Sequence, residues 1–402
     1  MDRSLYFSHS RTPDLSDLSS NACYEAWVAY RAAHDDGIDL SVSNPTVCGL
    51  PQIDPDVEAL RAAISAHYTA SSQGLIVARE AVAAYYGGRA NPDAIQLFAS
   101  TSEAVGALLK LLCAPGDSVV TCTPTYPLLD CLTSLEGVEL RETSLQDCAG
   151  EWMIDFWALE QVCDSTTRAI IVVSPNNPTG HCIRFDEMAK LVEFCASRSM
   201  ALIVDEVFGG YRLRDDGELM PEAASTYFNA AGCGLVVSLS GLSKVCGLPQ
   251  HKLGWGVFGG DSGVVSEAMQ RMSYITDSTL SVSGWVQRMA PSLLARRGEF
   301  SLPCLERCRT NLAIIREMSN KIGVKWRLDR VDGGWSACLR LPGWCDDESI
   351  ATRIAEAGVR VFPGSFFGYR DRQPTLVVSL IVEHDTMRKG MERVMQVIDV
   401  EV

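Results

Sequence analysis

The sequence predicts an α/β fold, doubly wound, in which helices cover both faces of a large, mostly parallel sheet. Between residues 90 and 260, short β-branched runs alternate with helical patterns such as residues 185–198, and the runs are continuously apolar. Strands of this kind are typically buried on both faces of a parallel sheet. Polar side chains follow the ends of the runs, where open α/β sheets bind their ligands. The predicted strands are residues 118–122, 169–174, 201–205 and 234–238.

The two chain ends differ from this central pattern, and we expect them to form a smaller α+β domain together. A helix is predicted over residues 21–33 and a longer one over about 305–322, followed by shorter strands. The chain has 402 residues, a length that favours two domains. We predict an N-terminal arm with part of the small domain over 1–50, a large domain over 51–300, and the rest of the small domain over 301–402.

Composition and charge argue against several classes of function. The formal net charge of −15 disfavours binding to nucleic acid or to an anionic membrane surface. The first ten residues lack the apolar core of a signal peptide, and no apolar run approaches the about 18 residues of a membrane span. The fifteen cysteines form no Cys-x-x-Cys pair and the six histidines show no ligand spacing, so no metal site is predicted. We expect a cytoplasmic protein with reduced thiols.

Two ionisable residues follow apolar runs and are candidates for catalysis. Lys244 lies among small residues, and a lysine that attacks a carbonyl carbon needs the neutral amine that desolvation favours. The alternative is a solvated lysine that closes a strand. Asp205 ends another run, and a buried carboxylate needs a cationic partner, either a protonated ring nitrogen or an arginine.

A phosphate-binding helix terminus is predicted near residue 100. Ser100 followed by Glu103 is a capping-box pattern, so a helix begins there and extends to about Leu112. The free amides of this terminus and the hydroxyls of Thr101 and Ser102 can hold a phosphate. Simple capping is the alternative interpretation.

Tyr126 and Asn177 place an aromatic ring and an amide at two further strand ends. With Lys244, Asp205 and the helix terminus, they match the needs of pyridoxal 5′-phosphate (PLP). These needs are a Schiff-base lysine, a phosphate site, a carboxylate for the pyridinium nitrogen and a ring that stacks on the cofactor. Each residue has an ordinary structural explanation when taken alone, but their joint order predicts PLP.

In these motifs the chain resembles the class I/II aminotransferases, which are PLP enzymes of fold type I. The resemblance spans nearly the whole chain. It implies transfer of an amino group from an amino acid or related amine to a 2-oxo acid, by a homodimer with active sites at its interface. The motifs that carry it are residues 43–46, 68–80, 100–104, 124–127, 177–180, 205–206, 243–244 and 363–364.

The same resemblance implies roles for individual residues. Lys244 would form the Schiff base and then move a proton, and Asp205 would keep the pyridine nitrogen protonated. Asn177 would bond the ring hydroxyl, and Tyr126 would stack on the ring. The other implied roles are phosphate binding by Ser100, Thr101, Ser102 and Tyr68 of the partner subunit, and substrate binding by Asn44.

Three positions near the cofactor depart from the family pattern. Phe208 stands where a tyrosine usually bonds the ring oxygen, and loss of that phenol should make the Schiff base more basic. Gly241 replaces a common phosphate-binding serine or threonine, for which Ser240 can substitute. Lys252 replaces an arginine, so a point contact to the phosphate takes the place of a bidentate one.

A fourth departure concerns the substrate. Val377 falls where related aminotransferases place the arginine that binds the substrate α-carboxylate. Arg370, Arg372 and Arg340 are candidates to replace that arginine. The alternative is that they are solvated surface arginines.

Three functions are compatible with these residues. The first is an aminotransferase. The second is a PLP-dependent lyase or cyclase, which Phe208 and Val377 favour because a changed carboxylate site alters which bond at the substrate carbon breaks. The third is a cofactor-binding sensor, but a sensor normally accompanies a DNA-binding domain, for which this acidic chain shows no segment.

Overall fold

The protein has an α/β architecture, in which the described residues form a large seven-stranded sheet, a smaller four-stranded sheet and two separate pairs of strands. The pairs are Ile38–Asp39 with Val359–Arg360 and Gln146–Cys148 with Glu151–Met153. The computed structural model describes residues 10–13, 21–148, 151–214, 227–369 and 374–401. The helices of this part of the chain are α1 (Ala22–Ala33), α2 (Val57–Ser65), α3 (Ile76–Tyr85), α4 (Thr101–Leu112), α5 (Leu128–Glu136), α6 (Phe156–Val162), α7 (Phe185–Ala196), α8 (Leu242–Val245), α9 (Ser262–Asp277), α10 (Gly284–Ala295), α11 (Gly298–Ser319), α12 (Asp347–Glu356) and α13 (His384–Glu401). The strands are β1 (Ile38–Asp39), β2 (Ile95–Phe98), β3 (Ser118–Thr123), β4 (Glu139–Ser144), β5 (Gln146–Cys148), β6 (Glu151–Met153), β7 (Thr167–Val173), β8 (Ala201–Asp205), β9 (Leu235–Gly241), β10 (Gly254–Gly260), β11 (Arg327–Leu328), β12 (Ser336–Arg340), β13 (Val359–Arg360), β14 (Phe362–Pro363) and β15 (Thr375–Ser379).

The large sheet has seven strands in the order β2-β10-β9-β8-β7-β3-β4. Neighbours from β9 to β4 are parallel, whereas β10 runs antiparallel to both β2 and β9. Apolar clusters cover both faces: one contains Leu108 of α4 and Met272 of α9, and the other contains Leu159 of α6 and Leu191 of α7. Strands β7, β8 and β9 are therefore buried almost throughout. The predicted doubly wound α/β fold is confirmed.

Residues from the two chain ends meet beside the large sheet. Strand β1 pairs in parallel with β13, and α1 packs against α12. The smaller sheet is antiparallel throughout, with the order β11-β12-β15-β14. The division of the chain at residues 50 and 300 stays a prediction, which this meeting of the chain ends supports.

Helix α11 begins earlier and ends earlier than the sequence predicts. The prediction was about 305–322, whereas the helix spans Gly298–Ser319 and contains Pro303. A proline this close to a helix start removes one hydrogen bond, to the carbonyl of Glu299 in the first turn, and does not end the helix. No described helix combines the length and the apolarity that a membrane span requires.

Asn311 of α11 joins this helix to the segment between β15 and α13. The side chain is fully buried, and its amide nitrogen donates to the carbonyls of Leu380 and Val382 at 2.8 and 2.7 Å. Its amide oxygen lies 2.9 Å from Nδ1 of His384. The side chain of Asn311 therefore supplies the hydrogen-bond donor for two buried backbone carbonyls.

We expect Asn311→Ala to lower the free energy of unfolding by about 2–4 kcal/mol, because two buried carbonyls lose their donor. Urea unfolding followed by circular dichroism measures this change. The control is Asn320→Ala at the exposed end of α11. A loss below about 1 kcal/mol for Asn311→Ala would show that water or another donor replaces the amide.

Candidate active site

The predicted site residues lie where the strands of the large sheet end. Asp205 is the last residue of β8, and Lys244 lies in α8, directly after β9. Asn177 follows β7, Tyr126 follows β3, and Thr101 begins α4 after β2. Because these five strands point the same way, their carboxyl ends meet at one edge of the sheet.

A cavity of about 360 Å³ lies at this edge, between the large sheet and the smaller one. Its lining includes most of the predicted residues together with several aromatic side chains from the smaller sheet. The lining residues predicted from the sequence are Ser100, Thr101, Ser102, Tyr126, Asn177, Asp205, Phe208 and Lys244.

The amine of Lys244 lies in an aromatic and apolar environment. Its Nζ is 4.9 Å from the ring centre of Trp335 and 5.6 Å from that of Phe208. Burial lowers the pKa of Lys244, and the nearby carboxylate of Asp205 opposes that shift. The backbone carbonyl of Lys244 accepts a hydrogen bond of 2.6 Å from the hydroxyl of buried Tyr211, so α8 is held in place. The site therefore favours the neutral amine that nucleophilic attack requires.

Asp205 is the carboxylate that faces Lys244 across the cavity. Burial raises its pKa to about 6, against the opposing effects of the Val207 amide, which donates to it at 3.1 Å, and of Lys244. Among the described residues, no arginine lies within ion-pair distance of Asp205, so the salt-bridge alternative is not formed there. The carboxylate has room for a cationic group of a ligand.

The start of α4 forms the far end of the cavity. Ser100 accepts from the Glu103 amide at 3.1 Å, and the Glu103 carboxylate accepts from the Ala99 amide at 2.5 Å. This confirms the predicted cap at Ser100 and the predicted helix end at Leu112, whereas the Glu103 carboxylate bonds the amide that precedes the cap residue and not that of Ser100 itself. Thr101 and Ser102 line the cavity at the positive end of the helix dipole, which favours an anion.

Two glycines bring β9 and β10 close to this helix terminus. Gly241 pairs with Gly254 across the two strands. A Cβ atom on Gly254 would lie 3.0 Å from the carbonyl carbon of Ser100 and 3.1 Å from the amide nitrogen of Thr101. A Cβ on Gly241 would lie 3.0 Å from the Leu253 carbonyl oxygen. A larger residue at position 241 therefore does not fit without a shift of β10, which explains the departure from the family pattern.

Several predicted residues do not line this cavity. Tyr68 is 81% exposed and borders a different cavity, beside His67 and Arg288. Lys252 is exposed at the end of the turn Pro249–His251, with a left-handed φ of 51°. The hydroxyl of Ser240 is buried without a hydrogen-bond partner.

Asn44, which is predicted to bind the substrate, also does not line this cavity. Asn44 caps a short turn, because its side-chain oxygen accepts from the amide and the hydroxyl of Thr46 at 3.1 and 2.8 Å. Arg370 lies outside the described residues, as does Arg372. Arg340 does not line the cavity, because its guanidinium bonds Asp147 and Asp329, each at 2.6 Å.

The aromatic side chains that line the cavity beside the smaller sheet were not predicted from the sequence. Trp335 and Phe366 line the cavity opposite the large sheet, and the rings of Phe208 and Trp335 meet edge to face at 5.3 Å. The partner residues lie more than a hundred positions apart, so periodicity along the chain carries no signal for this contact. Strand pairing of β12 with β15 brings them to the site.

Comparison with known proteins identifies the family. The model of the family described as aminotransferase class I and II matches residues 35–394. The chain belongs to this family. S-alkyl-thiohydroximate lyase SUR1 of Arabidopsis thaliana is 27% identical to this aminotransferase-family chain over 229 residues, which are 56% of this chain and 48% of that protein. Human tyrosine aminotransferase is 30% identical over 226 residues, 54% of this chain and 48% of that protein. The chain thus spans about half the length of these curated relatives.

Solved structures confirm the fold of this class I and II family member. An alanine aminotransferase from Pyrococcus furiosus matches with a TM-score of 0.84 and 19% identity, over 97% of this chain and 100% of that one. At this identity the match shows that the fold is PLP fold type I. Members of the family use PLP as their cofactor.

The cavity of this family member fits PLP in its chemistry. Asp205 has no fixed cationic partner among the described residues, and it faces the lysine across the cavity. The start of α4 offers amides and hydroxyls to a phosphate, and the pair Gly241 and Gly254 keeps the space beside it free of side chains. Cation, anion and aromatic groups are thus spaced along one crevice.

We expect Asp205→Asn to stabilise the cofactor-free protein in a pH-dependent way. The pKa of Asp205 rises from its ordinary 3.8 to about 6 on folding, so its ionised form destabilises the fold. The cost is absent below about pH 4, grows between about pH 4 and 6, and is complete above about pH 6. The variant should therefore gain up to about 2–3 kcal/mol at neutral pH and little near pH 4.

Urea unfolding of both proteins at the two pH values measures this difference. The exposed carboxylate of Asp130 provides the control variant Asp130→Asn. A gain for Asp205→Asn that is the same at both pH values would contradict the assignment of the shift to ionisation.

We expect Gly254→Ala to weaken PLP binding about tenfold or more, because its Cβ displaces the backbone that begins α4. Fluorescence titration of the cofactor-free protein with PLP measures the dissociation constant. In the control Gly263→Ala, the new Cβ has no neighbour within 4 Å. Unchanged affinity in Gly254→Ala would show that the phosphate lies elsewhere.

Proposed function

We propose that this protein is a PLP-dependent aminotransferase that moves an amino group from an amino donor to a keto acceptor. The observation that carries the proposal is the shared crevice in which Lys244, Asp205 and the start of α4 face one cavity. Bound PLP supplies an aldehyde carbon that accepts the amino nitrogen and a ring that accepts electrons from the substrate carbon. The residues around it bind, orient and move protons.

Three residues are assigned to the ring of the cofactor. Asp205 holds a proton on the ring nitrogen, and the cationic ring nitrogen in turn keeps the Asp205 carboxyl ionised. The amide oxygen of Asn177 accepts from the Ser336 hydroxyl at 3.4 Å, so we assign its amide nitrogen as the donor to the ring oxygen. Tyr126, 43% exposed within the cavity, offers its ring face for stacking.

Lys244 is assigned two tasks at the same atom. Its Nζ, whose pKa is lowered by burial, would hold the cofactor covalently until the substrate amine displaces it. The free Nζ then carries a proton from the substrate carbon to the cofactor carbon and back. The rings of Trp335 and Phe208 exclude water from this transfer.

The phosphate is assigned to the start of α4, with Ser100, Thr101 and Ser102. We further propose a homodimer in which Tyr68 of one copy reaches the phosphate of the other, since Tyr68 is exposed and lies outside its own cavity. Ser240 and Lys252 stay proposals for the phosphate, and Asn44 and Arg370 stay proposals for the substrate. A cytoplasmic location also stays a proposal.

The lyase or cyclase alternative is not better supported than transamination. One relative is named a lyase, whereas others are named aminotransferases. Release of ammonia from an amino donor, without accumulation of the amine form of the cofactor, would favour the alternative. The sensor alternative is disfavoured because the matched relatives are named as enzymes.

We expect borohydride reduction to fix PLP covalently on Lys244 of the native enzyme and to fix none on Lys244→Ala. Peptide mass spectrometry reads this result without any assay of activity. Lys389→Ala, a change of an exposed lysine on α13, is the control and should retain the attachment. Addition of an amino donor should convert the cofactor spectrum to that of its amine form before reduction. Attachment to Lys244→Ala, or no conversion with any donor, would refute the proposal.

A further inference from the structure

Much of the cavity lining outside the large sheet is apolar, although the uncharged hydroxyls of Ser336 and Ser379 also line it. The apolar part consists of Phe362, Phe366, Phe367 and Val377, which we call the apolar wall. The ring of Phe362 stacks on that of Phe366 at 5.6 Å, and Phe366 meets Phe367 edge to face at 5.7 Å. Phe366 is a large apolar side chain and is 47% exposed, so part of its ring surface is accessible to an apolar group of a ligand.

Hydrogen bonds and strand pairing connect the apolar wall to the segments that carry Tyr126 and Asn177. The amide of Thr125, next to Tyr126, donates to the carbonyl of Phe367 at 2.9 Å. On the other side, Ser336 of β12 bonds Asn177, and β12 pairs with the β15 strand that contains Val377. Lys244 and the apolar wall line the same cavity, so a substrate that reacts at Lys244 also meets the wall.

The position of Val377 offers no charge to an anion. Val377 is 3% exposed and pairs with Cys338 and Phe362 on the adjacent strands, within one apolar cluster. Arg340, near the end of the same strand pair, is held by Asp147 and Asp329.

The charges of the cavity are already assigned to the cofactor. Among the described lining residues, Lys244 and Asp205 are the lysine and the carboxylate, and no arginine, histidine or second lysine is present. A substrate carboxylate against the apolar wall would be desolvated without a cationic partner among the described residues, which is costly. A hydrocarbon group in the same place buries apolar surface favourably.

We propose that the amino substrate is a primary amine that carries an aryl or alkyl group, with no carboxylate on the carbon that bears the nitrogen. The inference rests on the proposed function. The carbon–nitrogen bond of the amine breaks, the nitrogen passes to the cofactor carbon, and water supplies the oxygen of the product aldehyde. The amine carbon loses two electrons and the cofactor gains them. The reverse half-reaction aminates an aldehyde or ketone of the same class.

Matched pairs of donors test this proposal in single turnovers of the PLP-loaded enzyme. 2-Phenylethylamine and phenylalanine differ only in the carboxylate, as do pentylamine and norleucine. We expect the amine of each pair to convert the cofactor to its amine form with at least about tenfold higher kcat/KM. An equal or faster reaction of the amino acids overturns the proposal. Loss of that amino-acid reaction in Arg370→Ala would then assign the carboxylate to Arg370.

Two variants connect the preference to the apolar wall. Val377→Arg is expected to reverse the preference in favour of phenylalanine, whereas the conservative Val377→Leu should keep it. Phe366→Ala, at a partly exposed position, is expected to raise KM for 2-phenylethylamine about tenfold and to raise KM for ethylamine much less. If Val377→Arg does not fold, Phe366→Ala still tests the proposal. An equal change in KM for 2-phenylethylamine and for ethylamine in Phe366→Ala overturns it.

A binding measurement avoids turnover altogether. Calorimetry of the PLP-loaded enzyme should show tighter binding of 3-phenylpropan-1-ol than of 3-phenylpropionate, with a negative heat-capacity change. Tighter binding of the carboxylate overturns the inference. Different results would refute the proposed function itself: borohydride fixes no PLP on Lys244, or no donor of either class converts the cofactor to its amine form.

Discussion

The site depends on the desolvation of two opposite charges, Lys244 and Asp205, in one crevice of the sheet. Burial pushes the pKa of the amine down and that of the carboxyl up, so each group is shifted toward its neutral form. A bound pyridinium reverses the shift for Asp205, because it supplies the missing cation. Strands β8 and β9 make this arrangement possible, since they are parallel neighbours whose ends lie side by side.

The aromatic side chains around Lys244 stabilise this arrangement from the side of the smaller sheet. Trp335 contacts the amine and packs against Phe208, Tyr211 and Phe300 at ring distances between 5.1 and 6.3 Å. This packing keeps water from the amine and couples the smaller sheet to the loop after β8. A phenylalanine at position 208 fits this apolar role, whereas the usual tyrosine would bring a hydroxyl into the same space.

The substrate class that we propose follows from the same smaller sheet. Pairing of β15 with β12 and β14 puts Val377 among aromatic neighbours, and Arg340 is drawn away by two carboxylates. The residues that we assign to the substrate thus lie mainly on the smaller sheet, and most of those that we assign to the cofactor lie on the large one.

Much of the large sheet and of the cofactor crevice was predictable from the sequence. Fully buried parallel strands are continuous apolar runs, and the polar residue that ends each run must lie at one edge. Lys244, Asp205, Asn177 and Tyr126 were found in this way, and the capping box placed the start of α4. The sequence did not indicate that Asn44 and Lys252 lie away from the cavity of their own chain, because a local motif does not give the spatial distance between residues that are far apart in the sequence.

By itself, then, the sequence determined the fold class, the polar residues that follow the strands, and the cofactor that these residues can bind. Only the tertiary structure decided which aromatic residues surround the amine, why a side chain is excluded at Gly241, and which face meets the substrate. The physical reason is the range of the interactions. Periodicity and capping act within a few residues, whereas Trp335 meets Lys244, and Gly254 meets Ser100, across distant parts of the chain.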